Sequence, residues 1–154
     1  MKHKLARKDW PTDSATSARM RLVRQSSTAP EQRVQRVLRV IGMRFSVGLK
    51  SIPGTPDLCS KKYRWAIFIH GCFWHNHANC SHATLPQRNR AAWLAKIEGN
   101  KTRDRLVIRR LKKQGYATLV FWECQTHDPN RLQKRLDSFF SQQVANVAYL
   151  RVSC

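Results

Sequence analysis

Three histidines and two cysteines fall within the thirteen residues "FIHGCFWHNHANC", from Phe68 to Cys80. Imidazole and thiolate are the ligands that zinc prefers, and imidazole is also the side chain that moves protons near neutral pH. The stretch therefore carries enough chemistry for a metal site, for acid–base catalysis, or for both. Cys72, His77 and Cys80 are spaced so that one short loop lets them converge, and Cys124, at the end of "ATLVFWEC", is a fourth soft donor. Four such donors form a closed tetrahedral set, which is structural rather than catalytic. The spacing is not that of a standard zinc finger, and His75 and His82 are rival nitrogen ligands. Cys59 and Cys154 are left over, one as a core residue and one in the tail.

A second constellation uses oxygen. Asp57 follows the turn "PGTP" at the start of a strand, where a hard carboxylate ligand suits Mg(II). A Pro-Asp pair is the first half of the PD-(D/E)xK nuclease pattern. The strand that would carry the second half reads "WAIFIHG", with no carboxylate or lysine and with His70 at its end. With one carboxylate on the sheet, a histidine must take the proton, and His75 and His70 are both candidates. Glu31 and Asp104 are carboxylates able to orient such a ring by fixing its tautomer. Taken singly, each is an ordinary residue: a turn aspartate, a helix-start glutamate, a solvated salt-bridge partner.

These groups need a scaffold. "TAPEQRVQRVLRVIGMRF" predicts a helix, with Thr28 as N-cap, Pro30 in the first turn, Glu31 facing the helix dipole and Gly42 at the end. Val34, Val37, Leu38 and Ile41 give it one apolar face. "FSVGL", "DLCS" and "WAIFIHG" read as strands, the last a continuous apolar run suited to burial. A long helix is expected from about Asn89 to Gln114, ended by Gly115, with Ala92, Leu94, Ile97, Leu106, Ile108 and Leu111 as its apolar face. "ATLVFWEC" is a further strand, "NRLQKRLDSFFSQQV" an amphipathic helix, and "VAYLRV" a last short strand. The order implies an α/β fold, a central mixed sheet flanked by helices. Residues 1–28 read as a flexible basic arm and 29–154 as a single domain.

Charge narrows the partner. Twenty-nine Lys and Arg against nine Asp and Glu give a formal net charge of +20, spread through the chain. Such a surface attracts a polyanion, and nucleic acid leads over a ribosomal or membrane-surface role. Five cysteines, an odd number, without an apolar signal segment argue against a disulfide framework and for a reducing, cytoplasmic setting. No apolar run approaches the ~20 residues of a membrane span.

The blocks "SARMR", "PGTPDL", "FIHGCFWHNHANC", "AAWLAKI" with "NKTRDR", and "LVFWEC" occur in one order across residues 17–140. Together they resemble the very short patch repair (Vsr) DNA mismatch endonucleases, and "HGCFWH" followed by His and Cys is the most specific of them. The resemblance implies a restriction-endonuclease-like fold with structural zinc and catalytic Mg(II). It implies a nick on the 5′ side of the thymine in T:G mismatches left by 5-methylcytosine deamination. The partner system is then a DNA cytosine-5 methyltransferase, and the setting a bacterial nucleoid. By the same resemblance Asp57 holds the metal, with the Ile69 main-chain carbonyl, and His75 is the general base. Glu31, His70 and Asp104 support it, and Cys72, His77, Cys80 and Cys124 hold zinc. Phe73 and Trp74 wedge into the duplex, and Met20 of the arm approaches from the opposite groove. Cys80 follows Cys72 by a spacing that differs by a residue from some relatives. One nick per mismatch asks only for a monomer. Two other readings stay open: a related nicking or restriction-type endonuclease with a different target, and a non-catalytic zinc DNA-binding protein, which would need neither Asp57 nor His75.

Overall fold

The computed structural model describes residues 27–152. Met20 and the rest of the basic segment before Ser27 lie outside the described residues, as does Cys154. The elements run α1 (Ala29–Val40), β1 (Ser46–Val47), β2 (Leu58–Ser60), β3 (Trp65–His70), α2 (Arg90–Lys113), β4 (Ala117–Trp122) and α3 (Pro129–Val152). Short 3-10 turns lie at Ser81–Ala83 and Glu123–Thr126. The four strands form one mixed sheet in the order β1-β2-β3-β4. The first two pairings are antiparallel, and β3 with β4 is parallel, from Trp65↔Ala117 to His70↔Trp122.

Period-two alternation along β3 divides the core. Trp65 and Ile67 join Leu58 and Phe121 against Val34, Val37 and Leu38 of α1 and Leu132, Leu136 and Phe139 of α3. Ala66 faces the other way, with Cys59, Ile52 and Leu111 of α2, and with Phe68 and Val107 packed alongside. The sheet is thus covered on both faces, α1 and α3 on one and α2 on the other.

The first helix follows the sequence closely. Thr28 is its N-cap, Pro30 stands in its first turn, and Gly42 follows with φ 74°. The Thr28 hydroxyl donates to Glu31 Oε1 at 2.7 Å, and the Ser27 N–H donates to Glu31 Oε2 at 2.9 Å. Glu31 is therefore a buried carboxylate fixed by its own helix start, the return half of a capping box.

Two expectations fail. "VAYLRV" is no strand: α3 continues to Val152. After Pro129 nothing in its sequence breaks a helix, since neither Gly nor Pro occurs there. The apolar face of α2 is also different. Leu94 and Leu106 are exposed, at 41% and 58%, while Trp93, Ile97 and Leu111 are buried. The buried or half-buried stripe runs Trp93, Ile97, Asn100, Asp104, Val107, Leu111, at alternating steps of four and three residues. Two of its middle members are polar, which hides the face from a purely hydrophobic reading. Gly99 lies within α2 without ending it, and Gly115, at φ 76°, follows its C-terminus.

The turn before Asp57 rests on this same stripe. Gly54 has φ 77°, and a Cβ there would stand 2.2 Å from Val107 Cγ1. Gly54→Ala should therefore lower stability by about 1–3 kcal/mol, from overpacking and left-handed strain together. Urea denaturation checks this, and a loss below the error of the fit would show that the turn does not need the close approach.

Candidate active site and metal centre

The parallel pairing of β3 and β4 ends on His70↔Trp122, so two chains leave the sheet side by side at the same level. Cys72 lies two residues beyond the first and Cys124 two residues beyond the second. Cys124 is not in the strand but in the 3-10 turn that follows. Between Cys72 and Cys80 the loop turns tightly: His77 N–H donates to the Cys72 carbonyl at 3.0 Å, and His75 N–H to Gly71 at 3.3 Å. Asn76 and Asn79 take positive φ, a conformation asparagine tolerates.

This folding brings one atom each of Cys72, His77, Cys80 and Cys124 within 4.8 Å of one another. His77 Nδ1 lies 3.7 Å from Cys72 Sγ and 3.4 Å from Cys124 Sγ. A tetrahedral zinc ion with ordinary Zn–S and Zn–N bonds sets ligand atoms roughly 3.5–3.8 Å apart, so the donors fit in chemistry and spacing. The His77 ring is held flat against Trp122, with centroids 4.2 Å apart and 10° between planes. The rival nitrogen ligands are elsewhere: His75 is turned to Asp104, and the His82 ring lies beside His127 at 6.4 Å. Burial, with Cys124 and Cys80 alongside, pushes the Cys72 thiol up to about 12. Without a cation the thiols hold their protons, and metal uptake must release them.

The second cluster lies at the end of β3, on the α2 side. Asp104 Oδ2 is 2.8 Å from His75 Nδ1 and 3.7 Å from His70 Nε2. The two imidazoles stack with centroids 4.0 Å apart and planes 6° from parallel. Burial raises the Asp104 carboxyl, but His75, His70 and Arg103 outweigh it and leave it below the usual range. Burial and the neighbouring His75 take His70 down to about 4, so it is neutral at pH 7.

Asp57 stands beside them. Its Oδ2 accepts the Ile69 N–H at 2.7 Å. Burial pushes its carboxyl up to about 6, and Glu31 adds to this, while the Ile69 N–H and His75 oppose it. Two carboxyls buried within electrostatic reach of each other are a donor set for a hard divalent cation. Glu31 thus belongs to the Asp57 side of the site. The carboxylate that contacts a histidine is Asp104.

Phe73 and Trp74 meet edge to face at 5.2 Å, and both pack on Trp93 of α2, at 5.2 and 6.0 Å. Trp93 is buried, and the other two rings are half-buried. Asn100 donates to the Trp74 carbonyl at 3.0 Å, and Lys96 Nζ lies 5.0 Å from the Trp74 ring centroid. Sequence reasoning assigned no role to Trp93 or Asn100. The signal for them is their place on the Trp93–Leu111 stripe, which also carries Asp104.

A mixed sheet with carboxylates and histidines at its strand ends, an aromatic platform and a strongly basic chain defines a DNA endonuclease of restriction-enzyme type. The chain belongs to the Vsr family: the family model for DNA mismatch endonuclease Vsr matches residues 8–82, and long relatives agree. The DNA mismatch endonuclease Vsr of Escherichia coli is 40% identical over 121 residues, 78% of this chain and 77% of its own. The Type II nicking enzyme V.XorIIP of Xanthomonas oryzae pv. oryzae is 39% identical over 76% of this chain and 85% of its own. The Type II nicking enzyme V.NmeAIP of Neisseria meningitidis is 35% identical over 82% of this chain and 89% of its own.

Two outcomes are expected from this geometry. Cys72→Ala should lose tightly held zinc, measured by elemental analysis, and lower stability by about 4 kcal/mol or more. An unaltered unfolding midpoint in metal-stripped wild-type protein would defeat a structural zinc. The second concerns pH, in Mg(II)-free buffer. The folded Asp57 carboxyl, at about 6, lies above its ordinary 3.8, so its contribution to stability is full below 3.8 and is lost as pH rises to 6. His70, at about 4, lies below its ordinary 6.5, so its contribution is full above 6.5 and is lost as pH falls to 4. The two slopes oppose each other in the wild type. Asp57→Asn should therefore gain stability with rising pH across this window relative to wild type, and His70→Asn should lose it. Parallel curves for all three proteins in chemical denaturation would refute both burials.

Proposed function

We propose that this endonuclease nicks one DNA strand 5′ of the thymine in T:G mismatches arising from 5-methylcytosine deamination, and so begins very short patch repair. The observation that carries the reading is the His75–Asp104 contact set beside Asp57, on the same short loop as the Phe73–Trp74 pair. A ring held at Nδ1 by a carboxylate leaves Nε2 to take a proton from attacking water, so His75 is the general base. His70 stacks on it and limits its rotation, and Glu31 enriches the negative charge around Asp57. Mg(II), bound by Asp57 and the Ile69 carbonyl, supplies positive charge against the scissile phosphate.

Recognition follows from stacking. A mismatched step is poorly stacked and opens at lower cost than a paired one, so a rigid aromatic wedge selects it. Phe73 and Trp74, backed by Trp93, form that wedge, and Met20 in the basic arm of residues 1–28 enters from the other groove. Zinc on Cys72, His77, Cys80 and Cys124 fixes the loop and takes no part in the chemistry. A DNA cytosine-5 methyltransferase is the functional partner, the protein acts as a monomer, and its place is the bacterial nucleoid. No helix among the described residues is long and apolar enough to cross a membrane.

The relatives named as Type II nicking enzymes favour a second reading, in which the same machinery serves a different target sequence. Strand-labelled duplexes with one T:G mismatch in varied flanks, with matched controls and Mg(II), separate the two. The proposal expects a single mismatch-dependent nick 5′ of the thymine. A nick in matched DNA of one sequence would favour the second reading, and none in any duplex would sink both. Asp57→Ala and His75→Ala should still bind the mismatched duplex while cutting at least about a hundredfold more slowly.

A further inference from the structure

The thiol cluster is not the only set of donors for a borderline metal. One nitrogen each of His70 and His75 and one oxygen of Asp104 lie within 4.8 Å of one another. Asp104 Oδ2 is a buried oxygen with no aligned hydrogen bond; its close polar neighbours are the two ring nitrogens. The histidine side chains are only 13% exposed and the aspartate 18%, so the groups are held by packing rather than loose in solvent. Two imidazoles and one carboxylate suit Zn(II), Co(II) and Ni(II), and suit Mg(II) poorly, because Mg(II) takes oxygen. Metal–ligand bonds near 2.1 Å set donors roughly 3.0–3.5 Å apart, which brackets neither the 2.8 Å nor the 3.7 Å separation but lies a few tenths of an ångström from each.

We infer that His70, His75 and Asp104 form a second site for borderline divalent ions, weaker than the four-donor centre, whose occupation inhibits the nuclease by taking the His75 nitrogen pair out of acid–base use. Three protein donors against four, two of them neutral, make it the weaker site. An excess of the ion that holds the loop then switches off the chemistry the loop carries. The inhibitory half rests on the reading of His75 as general base; the binding half does not.

The test uses full-length protein with its thiol site filled by zinc. Co(II) is titrated in, with visible d–d absorption and calorimetry as readouts. Wild-type protein should take up one further Co(II), and His70→Gln and Asp104→Asn should each weaken that step by at least about tenfold. His82→Gln, which removes half of the remote His82–His127 pair, should leave it unchanged. No further uptake, or uptake that survives both variants, overturns the site. In parallel, Zn(II) is raised at fixed Mg(II) in a nicking assay on the T:G duplex. Nicking should fall as the second ion binds; full nicking at saturating Zn(II) overturns the inhibitory half. A protein that binds the second Co(II) but nicks no duplex at any metal ratio would refute the proposed activity while leaving the site standing.

Discussion

Everything distinctive about this molecule depends on the parallel pairing of β3 with β4. Their register ends at His70↔Trp122, and both chains leave the sheet at that level. This places Cys72 and Cys124, 52 positions apart in sequence by their numbers, at the same end of adjacent strands. It also sets Trp122 against His77 and His70 at once, stacked on the first and edge-on to the second. Functional groups beyond the carboxyl ends of parallel strands are a general consequence of such sheets, because side chains from neighbouring connections meet there. Slippage by one residue would turn alternate side chains to the other face and separate both clusters.

The second organiser is the face of α2. Trp93 backs the aromatic pair, Asn100 holds the Trp74 carbonyl, Asp104 meets His75, and Val107 receives the turn before Asp57. Leu111 then anchors the helix in the core. One rigid rod thus touches the wedge, the histidine pair and the turn that carries the aspartate. A side chain on a packed helix keeps its place better than one on a loop, which is why the loop residues find their partners here.

Much of this was readable beforehand, for local reasons. Helix α1 announces itself through Thr28, Pro30, Glu31 and Gly42, all acting within a few residues, and "WAIFIH" has the composition of a core strand. Cys72, His77 and Cys80 are close in sequence, so their convergence needs only a tight loop. What escaped was tertiary. The face of α2 is set by what it touches, and its polar middle, Asn100 and Asp104, interrupts the hydrophobic pattern. Leu94 and Leu106 look like core residues but point to solvent. The roles of Glu31 and Asp104 could not be separated in sequence, since both are lone carboxylates on helices; only the fold gives the first to Asp57 and the second to His75. The end of α3 was misread because "VAYLRV" has strand composition, and the absence of a breaker before it weighed more.

Phe73, Trp74 and His75 are consecutive, and they sit between the thiol-cluster ligands Cys72 and His77. Three residues between two anchored ones cannot move independently of one another. A displacement of the aromatic pair, as insertion between bases requires, must therefore pass to the His75 backbone. Asn100 and Asp104, one helical turn apart on α2, oppose that displacement at its two points, the Trp74 carbonyl and the His75 ring. The loop is thus a short lever pinned at both ends by the Cys/His centre and steadied from the side by a helix. In such an arrangement the fit of the rings to the duplex and the alignment of the imidazole are a single geometric condition. A paired step that resists the rings withholds the imidazole as well, so discrimination between substrates resides in the rate of cutting and not only in binding.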